Sequence, residues 1–296
     1  MPLTEEAVVF GASRSLAGIV SHPAEFDPVR PAVLLLNSGL THRAGPYRLY
    51  VKLARKLASL GFLVLRFDFS GIGDSGLRND GVPQNRAHPL ETREAMDYVE
   101  AAWGTRTFIL MGVCRGAWVS FATARQDSRV TALVLINPDT LADNRQSPIS
   151  THLKTTSFVA AAVGRGSTWR RVLRGPLHYR AQFSLLFSYL RSPLKHRARS
   201  AEADRVAARL GALISGGATV LLIMSEDDPS HDYMAAVLER SRGLAKQVTI
   251  ETIRERDHIF MSLSSQRSLL AHVETWLLQF ICAGTAAPTA GDRAGN

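Results

Sequence analysis

Gly112-Val113-Cys114-Arg115-Gly116-Ala117 decides how this chain is read. It stands between an apolar run, Thr107–Val113, and a segment of helical composition from Arg115 to about Ala124. Glycines two residues before and two after Cys114 let a strand and a helix approach closely through a sharp turn. G-x-C-x-G thus has the form of a nucleophile elbow, with cysteine where serine is usual. The turn presents its central side chain above the strand end, at a helix N-terminus, where the positive end of the helix dipole favours a thiolate. An inert buried cysteine is the competing reading. Its place in the turn favours a nucleophile.

Outward from the turn, strand-like runs alternate with amphipathic segments, the pattern of a mostly parallel sheet with helices on both faces. Ala7–Phe10 and Leu16–His22 read as an opening pair of strands, and Ala32–Asn37, Phe62–Phe69 and Val130–Asn137 as further ones. A helix is expected from about Pro46 to Leu60, because Leu49, Leu53, Leu57 and Leu60 share one face. Another is expected over Leu90–Trp103, stopped by Gly104. After Asn137 the alternation breaks until the strand Thr219–Ser225, with Phe158, Trp169, Tyr179, Phe183 and Phe187 spread through the gap. These aromatics point to a packed helical cap over 139–217, inserted between two parts of the core, 1–138 and 218–283. A helix near Tyr233–Leu244, a strand at Val248–Ile253 and a last helix carrying Leu269, Val273, Trp276 and Leu277 complete the core. Residues 284–296 read as a disordered tail.

Composition narrows the classes. The start of the chain lacks the basic and apolar regions of a leader, and no apolar run reaches the roughly 18 residues of a membrane span. Two cysteines, Cys114 and Cys282, cannot build a disulfide framework, so a reduced, cytoplasmic protein is expected. The formal net charge of +9 is local: residues 139–217 hold 13 Lys/Arg against 4 Asp/Glu, and the rest of the chain balances. A chain-wide nucleic-acid coat is thereby disfavoured, and a local site for an anionic group is favoured.

Partners for Cys114 follow in the order nucleophile, acid, histidine. Val220–Met224 runs into Ser225-Glu226-Asp227-Asp228-Pro229, a strand end rich in carboxylates. Asp228 is the expected acid, with Asp227 open because strand-end register is uncertain by a residue. His258, between the last strand and the last helix, is placed to accept the proton of Cys114, and His231 is its rival. The oxyanion hole needs two backbone N–H groups. Arg115, directly after the nucleophile, and Leu40, in the loop Asn37-Ser38-Gly39-Leu40, are the expected donors.

Two other chemistries have weaker support in the chain. Gly71-Ile72-Gly73-Asp74-Ser75-Gly76 matches a dinucleotide-binding turn, but Leu77 to Pro83 cannot open the helix that would hold a pyrophosphate. The histidines are scattered, without metal-ligand spacing. No cofactor and no metal are expected.

With the elbow, the acid strand and His258 in place, the chain resembles the α/β-hydrolase superfamily over nearly all of residues 7–280. Asp68-Phe69-Ser70-Gly71-Ile72-Gly73-Asp74-Ser75 resembles that superfamily's D-x-x-G-x-G-x-S segment. Cys114 for serine is similar to the dienelactone hydrolases and to bacterial hydrolases of exopolysaccharide and exosortase systems. Ser38-Gly39, His42-Arg43 and Arg48-Leu49-Tyr50-Val51 resemble the latter group. This likeness implies an α/β-hydrolase fold with a lid between the sixth and seventh core strands. It also implies His42 and Arg43 as candidate substrate contacts.

A cysteine acyl-enzyme is itself a thioester, so loading it from a thioester donor is nearly isoenergetic. Acyl hydrolysis or acyl transfer on a thioester or activated ester is therefore expected, through a Cys-His-Asp triad and a covalent acyl-enzyme, with a dienelactone-type lactone hydrolase and a non-catalytic scaffold as alternatives. Arg170, Arg171 and the other arginines of the cap could meet the phosphates of coenzyme A or an acidic carrier protein. They could equally be a solvated helical face.

Overall fold

The computed structural model describes residues 4–12, 14–142, 193–226, 228–241, 243–254 and 258–285. Most of the expected cap, with Arg170 and Arg171, and residues 286–296 of the expected tail lie outside them, as does Asp227.

Eight strands form one sheet in the order β1-β2-β4-β3-β5-β6-β7-β8. They are β1 Thr4–Phe10, β2 Leu16–His22, β3 Ala32–Leu36, β4 Val64–Phe67, β5 Phe108–Val113, β6 Val130–Ile136, β7 Thr219–Ser225 and β8 Thr249–Ile253. β1 and β2 pair antiparallel, β2 joins β4 antiparallel, and every pairing from β4 to β8 is parallel. The fold is that of an α/β hydrolase.

Because successive strand residues point to opposite faces, the apolar runs feed two cores. On one face Leu34, Leu36, Leu110, Leu133 and Leu135 are buried; on the other Val33, Leu35, Ile109, Val134 and Ile136 are. The first core is covered by α2 (Gln84–Trp103), α3 (Arg115–Ala124), α4 (Pro193–Ser215) and α5 (Pro229–Leu238). The second is covered by α1 (Leu49–Ser59) and α6 (Leu263–Thr285).

Helix boundaries depart from the expected ones in places. α2 starts at Gln84, six residues ahead of Leu90, because its first turns are polar and carry Pro89, which hides their helical character. Helix α5 starts at Pro229 and ends at Leu238, since Asp228 caps it and Pro229 fits its first position. α4, the end of the stretch expected as cap, buries Ala203, Val206, Ala207 and Leu210 in the first core. α6 continues to Thr285, past the expected start of the tail at 284. Among the described residues no helix is long and apolar enough to cross a membrane.

Candidate active site

Cys114 stands where β5 ends and α3 begins, with φ 55° and ψ −110°. A non-glycine residue in such a conformation costs about 1–3 kcal/mol. The surroundings enforce it. Its amide donates to the Ile136 carbonyl at 2.8 Å, and its carbonyl accepts from Ala117 at 3.2 Å. The flanking glycines leave no choice of side chain. A Cβ on Gly112 would lie 2.6 Å from the Gly116 Cα, and one on Gly116 would lie 2.5 Å from the Leu36 carbonyl oxygen.

Below the elbow, the fully buried Tyr50 joins two strand ends. Its hydroxyl donates to the Leu36 carbonyl at 2.8 Å and accepts from the Val113 amide at 3.0 Å. Burial pushes its phenol well up, so it stays neutral and keeps donating.

Asp228 follows β7 and faces two ways. Oδ1 accepts from the Ser230 amide at 2.8 Å and caps α5, while Oδ2 meets His258 Nδ1 at 2.6 Å. His258 follows β8, and its side chain also hydrogen-bonds Cys114. With Nδ1 occupied by Asp228, the remaining ring nitrogen serves the thiol. Cys114, His258 and Asp228 therefore form a connected line. His231 lies exposed on α5, where its amide donates to the Asp228 carbonyl at 2.9 Å.

The charges support one another. Burial alone would lower the pKa of His258, but its hydrogen bonds to Asp228 and Cys114 and the negative charge of Asp228 outweigh it and push it up to about 10. Burial alone would raise the Asp228 carboxyl; His258 and Ser230 hold it below the usual carboxylate range. At neutral pH the pair is an imidazolium and a carboxylate.

Across from the elbow, residues 38–41 make a turn closed by Thr41 N to Ser38 O at 3.0 Å, with Gly39 at φ 59°. Leu40 lies in it with its side chain 83% exposed, so only its backbone can serve a site inside the fold. Arg115 opens α3, and its guanidinium lies 3.7 Å above the Trp118 ring. The start of the turn backs directly on α3, as the approach of Gly116 to the Leu36 and Asn37 carbonyls requires.

His42 is exposed, and its Nδ1 accepts from the Ala44 amide at 3.3 Å. Arg43 binds the carboxylates of Asp68 and Asp74 through Nη1 and Nη2. Asp68 is fully buried and also accepts from the Arg43 amide and from Asn37. The D-x-x-G-x-G-x-S segment therefore clamps the loop after β3. Ser75 completes the clamp, donating to the Asp68 carbonyl at 2.6 Å.

Several residues here were not singled out from sequence. Asn37 donates to Thr41 O at 2.9 Å and accepts from Phe69 N at 2.9 Å. Asn137 donates to Ser225 Oγ at 3.0 Å and to the His258 carbonyl at 2.8 Å, and accepts from Ser225 N at 2.8 Å. Both asparagines end apolar strand runs, AVLLLN and VTALVLIN. A buried amide at the end of such a run was the available signal.

A family model described as "Alpha/beta hydrolase family" matches residues 33–272. The chain is 30% identical over 130 residues to the uncharacterized protein YcjY of Escherichia coli K12, covering 40% of this chain and 39% of YcjY. It is also 30% identical over 114 residues to the lysophosphatidylserine lipase ABHD12 of Rattus norvegicus, covering 37% of this chain and 27% of that protein. The chain thus spans well under half the length of these curated relatives. Among solved structures, the Pyrococcus furiosus esterase Pf2001 matches with a TM-score of 0.61 at 14% identity, covering 94% of this chain and 91% of that one. A serine hydrolase without lid from Xanthomonas campestris matches with a TM-score of 0.52 at 20% identity, covering 93% and 96%. At such identity these structures speak for the fold alone. The chain belongs to the alpha/beta hydrolase family.

Proposed function

We propose that this alpha/beta hydrolase is an acyl hydrolase or acyltransferase that works through a covalent acyl-enzyme on Cys114, with a thioester as its acyl donor. The carrying observation is the line Cys114–His258–Asp228, with His258 Nδ1 2.6 Å from Asp228 and its other side on the elbow thiol. A histidine that keeps its proton at neutral pH is poorly suited to take one from a serine hydroxyl. It suits a cysteine, since sulfur is intrinsically the stronger nucleophile and relies less on a neutral base.

In the first half-reaction the Cys114 sulfur attacks the donor carbonyl carbon, and negative charge develops on the carbonyl oxygen. The backbone N–H groups of Leu40 and Arg115 are the proposed donors to that charge. The bond from carbon to the donor sulfur then breaks, and His258 gives its proton to the departing thiolate. In the second, water, an amine or an alcohol loses a proton to His258 and attacks the acyl carbon, and Cys114 leaves as thiolate. Asp228 holds the ring orientation and its cation throughout.

Matched acyl thioesters and oxygen esters with the same acyl group test this. Turnover of thioesters at a higher kcat/KM than of esters supports the reading. Equal or greater activity on the oxygen esters would favour an ordinary esterase.

A further inference from the structure

A cleft of about 470 Å³ runs between α2 and α3, apart from the triad. Arg86, Leu90 and Arg93 on α2 line it opposite Trp118 and Ala122 on α3 and Arg125 at the C-cap of α3, each set at helical spacing. Asn85 and Gln126 add amides to the lining, and no Asp or Glu is among the described lining residues.

Arg86 and Arg93 differ from other arginines of the molecule. Arg78 meets Asp80, Glu91 and Glu94; Arg129 meets Asp97, Glu100 and Asp127. Carboxylates on α2 are thus consumed by outside partners, while Arg86 and Arg93 on the same helix form no ion pair among the described residues. Arg93 Nε is buried without a hydrogen-bond partner. Arg86 and Arg93 line one cleft without a carboxylate, and planar guanidinium forks with amides beside them match phosphate oxygens.

The cleft also has a fixed relation to Cys114. α2 and α3 both begin at the carboxyl ends of the parallel strands, where the elbow lies. Trp118 is one turn beyond Cys114, and Arg125 lies eleven residues along, about 16 Å down the helix axis. We propose that this cleft binds the phosphorylated end of a small-molecule acyl donor of coenzyme A type, whose phosphates lie well away from its thioester. The choice of donor rests on the thioester reading; the anion site itself does not.

The test uses the full-length chain and coenzyme A as the probe. Calorimetric titration of the Cys114→Ala protein should show binding that weakens about tenfold in Arg93→Gln and in Arg86→Gln. Arg86 is exposed, so its variant guards against a loss caused by misfolding. Pantetheine, which lacks phosphate, should bind far more weakly; binding as tight as that of coenzyme A would overturn the assignment, as would unchanged affinity in both variants. In the active protein the same substitutions should raise KM for an acyl-coenzyme A by the same factor and leave kcat unchanged. Constants for the matching N-acetylcysteamine thioester should not move. Arginine-dependent binding without thioester turnover would keep the site and refute the proposed function. Turnover with an unaltered KM would do the reverse.

Discussion

The side-chain amide of Asn137 donates to the backbone carbonyl of His258 at 2.8 Å, across 121 positions of sequence. The same side chain accepts from the Ser225 amide at 2.8 Å. One residue at the end of β6 thereby fixes both the strand end that leads to Asp228 and the loop that carries His258.

Replacing Asn137 with alanine should therefore damage stability and rate together. It leaves the buried Ser225 amide and the His258 carbonyl without partners, a loss of about 1–3 kcal/mol. Urea unfolding should show that loss, and kcat should fall while KM for a short thioester stays close to wild type. An unchanged kcat would mean that Asn137 supports the fold but not the alignment of His258.

Cys114 is held at a positive φ that glycine adopts at little cost. Two variants lacking the thiol should then differ in stability. Alanine keeps the Cβ and the strain, of about 1–3 kcal/mol, whereas glycine relieves it but makes the unfolded chain about 0.4–1 kcal/mol more favourable. The strain is the larger effect, so Cys114→Gly should be more stable than Cys114→Ala by about 1 kcal/mol. A more stable alanine variant would show that the elbow carries no stored strain.

The pairing of Asp228 with His258 fixes a pH dependence. The raised pKa of His258 contributes stability that is complete below its unfolded value, near ~6.5, and that contribution is lost as pH rises through about 10. The depressed pKa of Asp228 contributes stability that is present above its unfolded value and lost as pH falls through its folded one. Asp228→Asn should flatten the alkaline part of the stability curve and move the alkaline limb of kcat/KM downward in pH. An alkaline limb that stays in place would show that Asp228 does not set the protonation of His258.

Much of this architecture was legible in the chain because it rests on short-range rules. Buried parallel strands must be continuous apolar runs, and the elbow must have small residues at 112 and 116, where any Cβ would strike the backbone. The boundary of α2 was not legible, since its first turns are polar and contain Pro89. The Asp-Pro pair at 228 and 229 carried a helix-start signal, with the cap and the partner of His258 in one residue. Tyr50 stood out only as part of the Arg48-Leu49-Tyr50-Val51 stretch. Its hydroxyl bridges β3 and β5, a contact between residues 63 positions apart that periodicity cannot express.

The central claim is that Cys114 carries the acyl group, and intact-mass measurement after brief exposure to an acyl thioester tests it most directly. The wild-type chain should gain the mass of one acyl group, mapped by peptide digestion to Cys114 and not to the exposed Cys282. Asp228→Asn should accumulate it more slowly, and Cys114→Ala should gain nothing while remaining folded. An acyl group found on another residue, or full turnover by Cys114→Ala, would contradict the claim.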